Sequence, residues 1–210
     1  MPKSTFFNLP EDKKNKIIEA AIDEFSKHPY KQASVNRIVE KAGIAKGSFY
    51  QYFEDKKDLY KFIIEICAQK KMVYMQHIMK DFEKLNIFQL IRELYIAGIK
   101  YAKDNPRIFS IGARFLKEKD RELFDEIMED SRKKSGDFFR YLLMKGIERG
   151  EVDPAIDVDL VSMLITSLSI DISEYYLKTR EGEDLMGIYN LVDKMLYIIE
   201  NGIKAKGKGN

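Results

Sequence analysis

Two short amphipathic patterns meeting at a glycine corner constrain this chain more than any other feature. Residues Ser34 to Leu59 read SVNRIVEKAGIAKGSFYQYFEDKKDL. Ile38, Val39 and Ala42 fall on one side of a first short helix, Gly43 supplies the positive φ that ends it, and Ile44 plugs the corner. Lys46 to Tyr52 then forms a second short helix, with Phe49 and Phe53 four apart on its inner side. Asp55 caps the helix that follows, with Asp58 in its first turn and Leu59, Phe62, Ile63 and Ile66 behind. This is the layout of a helix-turn-helix, whose second helix enters the major groove of DNA.

The string Ile38-Val39-Glu40-Lys41-Ala42-Gly43-Ile44-Ala45-Lys46-Gly47-Ser48-Phe49-Tyr50-Gln51-Tyr52-Phe53, followed by Lys56 and Leu59, resembles the DNA-binding module of TetR-family (tetracycline-repressor-like) transcriptional regulators. Ile17, Ala20, Ala21 and Phe25 stand where that family keeps the core of its first helix. The match departs at His28-Pro29-Tyr30, where members usually carry a glycine. The resemblance implies a homodimer bound to a palindromic DNA operator. Asn36, Lys46, Gly47 and Ser48 are the candidates for base-edge contact: Lys46 for guanine, Asn36 for adenine or phosphate, Gly47 for close backbone approach. Tyr50, Tyr52 and Lys56 match family positions that hold phosphates, which set register without reading sequence.

Beyond this module the pattern is helical nearly throughout, and the expected class is all-α. A three-helix helix-turn-helix DNA-binding domain, residues 1–55, precedes a larger helical ligand-binding and dimerisation domain, residues 56–210, with the helix after Asp55 shared. That helix extends to about Lys84, ~43 Å at 1.5 Å per residue. Further helices are expected near Ile87 to Asp104, Arg107 to Leu116, Asp120 to Arg149, Asp157 to Lys178 and Glu183 to Lys204. Breaks fall at Asn105-Pro106, at Gly150 with Pro154, and at Glu181-Gly182.

Two regions of this second domain suggest further roles. Met75, Met79, Phe82, Tyr101, Phe109, Phe138, Tyr141, Met144 and Tyr175 form an aromatic and methionine inventory. They suit a bundle core or a small-molecule cavity between helices. In TetR-like regulators the effector sits there, and the scarcity of charge in these stripes points to an apolar or amphipathic effector. Arg92 and Arg114 are possible anchors for a polar group. Near the C-terminal end, Ser162, Thr166, Ser169 and Ser173 make a small hydroxyl seam suited to close helix approach. Val192, Met195 and Ile199 belong to an apolar face wider than one contact requires. The resemblance implies that the last two helices form a four-helix dimer interface.

Charge and chemistry exclude more than they suggest. The net charge of +2 is too small to announce a nucleic-acid binder. Residues 1–60 carry 11 Lys/Arg against 9 Asp/Glu, so any basic surface depends on placement. His28 and His77 have no constellation around them, and the single Cys67 sits within an apolar stripe. No HExxH, CxxC or GxSxG spacing occurs, so neither catalysis nor a metal or other cofactor is expected. No apolar run approaches the ~20 residues that span a bilayer, and a cytoplasmic location is expected. The alternative reading is a helical small-molecule or lipid-binding protein whose helix-turn-helix is not used for specific DNA recognition.

Overall fold

A computed structural model describes residues 1–80, 83–118, 120–179 and 186–203, and of residues 130, 172–179 and 186 the backbone alone. The described chain is helical: α1 (Ser4–Phe7), α2 (Glu11–Lys27), a single 3₁₀ turn (Tyr30–Gln32), α3 (Val35–Ala42), α4 (Lys46–Tyr52), α5 (Lys56–Met79), α6 (Ile87–Asp104), α7 (Pro106–Leu116), α8 (Arg121–Glu148), α9 (Val158–Thr179) and α10 (Met186–Ile203). No extended strand occurs among the described residues.

Punctuation in the sequence explains most boundaries. Glu11 and Asp12 open α2 behind Pro10, where their charge meets the positive end of the helix dipole. The Ser34 hydroxyl accepts from the Arg37 N–H at the start of α3. Gly43 ends α3 at φ 68°, its N–H bonded to the Glu40 carbonyl and that of Ile44 to Val39, a Schellman-type stop. Asp55 accepts from the Asp58 N–H at 2.8 Å, and Asp58 accepts in turn from the Glu54 N–H at 3.2 Å, so α5 is capped from both sides. The expected continuation of α5 to Lys84 stops short, at Met79.

Contacts divide the chain into two units, Met1–Val73 with Tyr101–Phe124, and Tyr74–Lys100 with Asp125–Asn210. The expected boundary at residue 55 is therefore displaced. Leu59, Tyr60 and Ile63 of α5 are buried in the N-terminal unit, and α7 returns to pack on α2. Arg114 of α7 donates to the Ser26 carbonyl at 3.0 Å, and Arg107 pairs with Glu19 at 2.9 Å. Arg114 thus closes the end of α2 and is not an effector anchor.

The core of the second unit gathers Ile87, Leu90 and Ile91 of α6, Leu142 and Leu143 of α8, Ile165 of α9 and Val192 of α10. Gly146 lets α8 approach its neighbours, since a Cβ there would lie 2.6 Å from Val152 Cγ2. Gly150, at φ 70°, then turns the chain so that Glu151 accepts from the Ile87 N–H at 2.7 Å. Arg92 is held by Asp193 at 2.7 Å, which occupies the second of the suggested anchors.

Candidate nucleic-acid interface

The DNA-facing geometry is built from α2 outward. Ile17, Ala21 and Phe25 of α2, Ile38 of α3, and Phe49 and Phe53 around α4 are all buried, and α2 packs on α3 beneath the corner. Glu24, itself buried, accepts from Arg37 Nε at 3.0 Å and from the Ser34 N–H at 2.8 Å. Burial raises its pKa, but the Arg37 and Ser34 hydrogen bonds outweigh that, and the carboxyl sits below the usual glutamate range. Arg37 also donates to the Gln32 carbonyl at 2.9 Å, tying α3 to the 3₁₀ turn. On the adjoining turn of α2, Asp23 accepts from Lys41, and from Lys27 at 2.9 Å. These bonds, that to Lys41 first, lower its pKa.

The departure at His28-Pro29-Tyr30 has a structural counterpart in this turn. The Tyr30 ring lies 5.0 Å from Tyr60, and the Lys56 ammonium stands 4.5 Å from the Tyr30 ring centroid. Lys56 Nζ donates to the carbonyls of Tyr30 at 2.7 Å and Ala33 at 3.0 Å, and burial holds its pKa below the ordinary lysine value. Lys56 therefore ties the 3₁₀ turn to the start of α5 through that turn's carbonyls.

The base-reading candidates are all on the outside. Asn36, Lys46 and Gly47 are exposed and Ser48 is half-buried. Tyr50 is 48% exposed, its ring edge-on to buried Phe49. No side-chain cap closes the start of α4, where Ala45 stands. Among the described residues nothing pairs with Lys46. A Cβ on Gly47 would meet nothing within 4 Å, so nothing inside the chain requires a glycine there. Two expected phosphate contacts are engaged otherwise. Tyr52 is only 6% exposed, packed edge-on against Phe6, and Lys56 is bound to carbonyls as described. The inward placement of Tyr52 follows from a seven-residue helix that must bury one side to persist.

This arrangement, a short uncapped helix with an exposed Lys-Gly-Ser start set against two packed helices, matches a known family. The model for bacterial regulatory proteins of the tetR family matches residues 17–62. Over residues 17–62 the chain carries the DNA-binding module of the TetR family. The chain is 27% identical over 177 residues to the "Probable acrEF/envCD operon repressor" of Escherichia coli (strain K12), covering 82% of this chain and 79% of that protein. A TetR-family transcriptional regulator from Chloroflexus aurantiacus J-10-FL is similar in structure, with a TM-score of 0.64, 28% identity and coverage of 98% of this chain and 100% of that one. The transcriptional regulator FadR from Bacillus subtilis, solved in complex with stearoyl-CoA, shares the fold at a TM-score of 0.67 and 20% identity, over 87% of this chain and 96% of that one.

The remaining candidates of the TetR-family reading are placed less as expected. Phe82 lies outside the described residues, as do the side chains of Ser173 and Tyr175. In the first unit Tyr101 is buried and Phe109 exposed. In the second, Met75, Met79 and Phe138 pack on the core while Tyr141 and Met144 face outward. Phe109, Tyr141 and Met144 are thus not cavity walls here. Tyr141 and Met144 flank buried Leu142 and Leu143, and adjacent helical residues point about 100° apart. A described cleft of about 270 Å³ between α8 and α9 is lined by Arg132, Asp137, Arg140, Asp159 and Met163, and none of the expected effector-pocket residues lines it.

The expected dimer seam also turns inward. Ser162 and Thr166 are buried, with Thr166 Oγ1 donating to the Ser162 carbonyl at 2.8 Å. Ser169 Oγ donates to the Ile165 carbonyl at 2.6 Å and meets the Tyr95 hydroxyl. Val192, Met195 and Ile199 are core residues of their own unit. The exposed apolar residues are others: Leu160, Met163, Leu164 and Leu168 on α9, and Tyr197 and Ile198 on α10. Hydroxyls bonded to the preceding turn behave as small apolar surface, which lets them line an intrachain contact as readily as a partner's.

Proposed function

We propose that this chain is a homodimeric repressor that reads a palindromic operator with α4 and leaves it when a small amphipathic effector binds. The exposed Lys46-Gly47 start of α4 carries this reading, because it combines an unpaired cation with backbone that nothing in the chain covers. In this reading Lys46, Asn36 and Ser48 reach base edges, Gly47 admits the DNA backbone, and Tyr50 holds a phosphate. Tyr52 and Lys56 shape the module from within. The match to the tetR family model and the likeness to named repressors support a ligand-responsive DNA-binding regulator.

The dimer face in this reading is the exposed apolar side of α9, where Leu160, Met163, Leu164 and Leu168 recur at helical spacing, together with Tyr197 and Ile198 of α10. The effector combines an apolar portion with an anionic group. Lys71 supports this choice. It stands four residues beyond Cys67 and four before Met75 on α5, and it is accessible and unpaired among the described residues. Desolvation holds its pKa below the ordinary lysine value. The stearoyl-CoA held by the FadR structure of the same fold makes a long-chain acyl-CoA the first probe.

Selection from random duplexes tests the reading, and recovery of a palindrome is the expected result. Calorimetric titration of palmitoyl-CoA, with and without that operator, follows. Coupling is reciprocal, so a ligand that weakens operator affinity must itself bind the operator complex more weakly by the same factor. Lys71→Met should weaken the acyl-CoA and spare an uncharged acyl ligand. Equal ligand affinity with and without operator would sink the induction model.

A further inference from the structure

A seven-residue helix containing a glycine, a serine and three aromatic residues does not persist through its own hydrogen bonds. Its last four carbonyls, those of Phe49, Tyr50, Gln51 and Tyr52, have no acceptor role within the helix and must find donors outside it. The Phe53 N–H takes the first, at 2.9 Å. The other three are all taken by one short stretch at the beginning of the sequence. The Lys3 N–H donates to the Tyr52 carbonyl at 2.8 Å, Lys3 Nζ donates to the Tyr50 carbonyl at 2.9 Å, and the Thr5 hydroxyl donates to the Gln51 carbonyl. Phe6 anchors the stretch. It is 1% exposed, its ring 5.0 Å from Phe53 and 5.4 Å from Phe62.

We infer that Lys3, Thr5 and Phe6 form a brace that completes the C-terminal end of α4 and so sets operator affinity and sequence discrimination without touching a base. The inference rests on the reading of α4 as the DNA-reading helix. Without the brace the last turn of α4 frays, Tyr50 loses its fixed direction, and the operator must order the turn on binding. Ordering drawn from binding energy weakens the tight, oriented complex most. Non-specific binding depends on phosphate charge more than on a fixed helix, so it is affected least.

Thr5→Val removes one donor at an exposed position with little change of shape, and Lys3→Met removes the ammonium while keeping the backbone donor. Each variant should bind the selected operator about two- to tenfold more weakly, the loss expected for one hydrogen bond. Affinity for random duplex should be nearly unchanged for Thr5→Val, and the preference for operator over random duplex should fall in both variants. In the free protein, amide exchange of Phe49 to Phe53 should quicken while the global melting temperature holds, and Thr5→Ser should restore wild-type values. Unchanged operator affinity in Thr5→Val would overturn the brace, as would equal loss on operator and random DNA or a loss matched by global destabilisation. If the wild-type chain selects no operator, the reading of α4 fails instead. The exchange measurement then decides the brace by itself.

Discussion

Gly47 is the residue whose identity the fold explains least and the DNA reading explains best. A side chain there would have room, and the backbone is helical, so alanine would normally be preferred. Gly47→Ala is expected to raise the stability of the free protein by roughly 0.5 kcal/mol while weakening operator binding at least tenfold, as a methyl intrudes where a DNA backbone would lie. Urea unfolding and operator titration of the same preparation check both signs, and a variant improved in both would remove Gly47 from the interface. Cys67 is half-buried, and burial pushes its thiol up to about 11, so it stays protonated at neutral pH.

Among the elements, the α2–α3 crossing has the clearest electrostatic signature. Glu24 has its pKa lowered on folding, so its contribution to stability is complete above the ordinary glutamate value of 4.5 and is lost as pH falls through the lower folded value. Asp23 acts in the same direction from 3.8. Unfolding free energy should therefore decline below about pH 4.5, and Glu24→Gln should flatten that decline. Arg37→Met should cost more at neutral pH than Glu24→Gln, because it leaves a buried carboxylate with the Ser34 N–H and without its guanidinium partner. Denaturant titrations at a series of pH values decide this, and equal costs for the two variants would mean the pair is solvated. None of this pairing was visible in the chain. Glu24 and Arg37 are 13 residues apart on different helices, and only the crossing brings them together.

At the scale of the whole molecule, the exposed face of α9 makes the sharpest demand. Leu164→Glu should convert the proposed dimer to monomer in sedimentation velocity and weaken operator binding roughly a hundredfold, since two linked half-sites become independent. Ser169→Ala, which alters an intrachain hydroxyl, should leave the dimer intact, and persistence of the dimer in Leu164→Glu would move the interface elsewhere. Local rules in the chain were enough for most of the helices, though not for α1 or the end of α5. Gly43, Ser34, Asp55 and Gly150 set ends through backbone geometry and capping, which depend on a few neighbouring residues, and the corner between α3 and α4 follows from them. The same chain left open which side of α9 meets solvent, because Ser162 and Leu160 are equally compatible with a buried or a partner-facing position. It left open whether Lys56 points to DNA or to the carbonyls of a turn 23 residues away, and where the donors for the end of α4 come from. Those outcomes rest on groups distant in sequence competing for the same few hydrogen bonds and the same buried area. Only the packed tertiary structure decides such a competition.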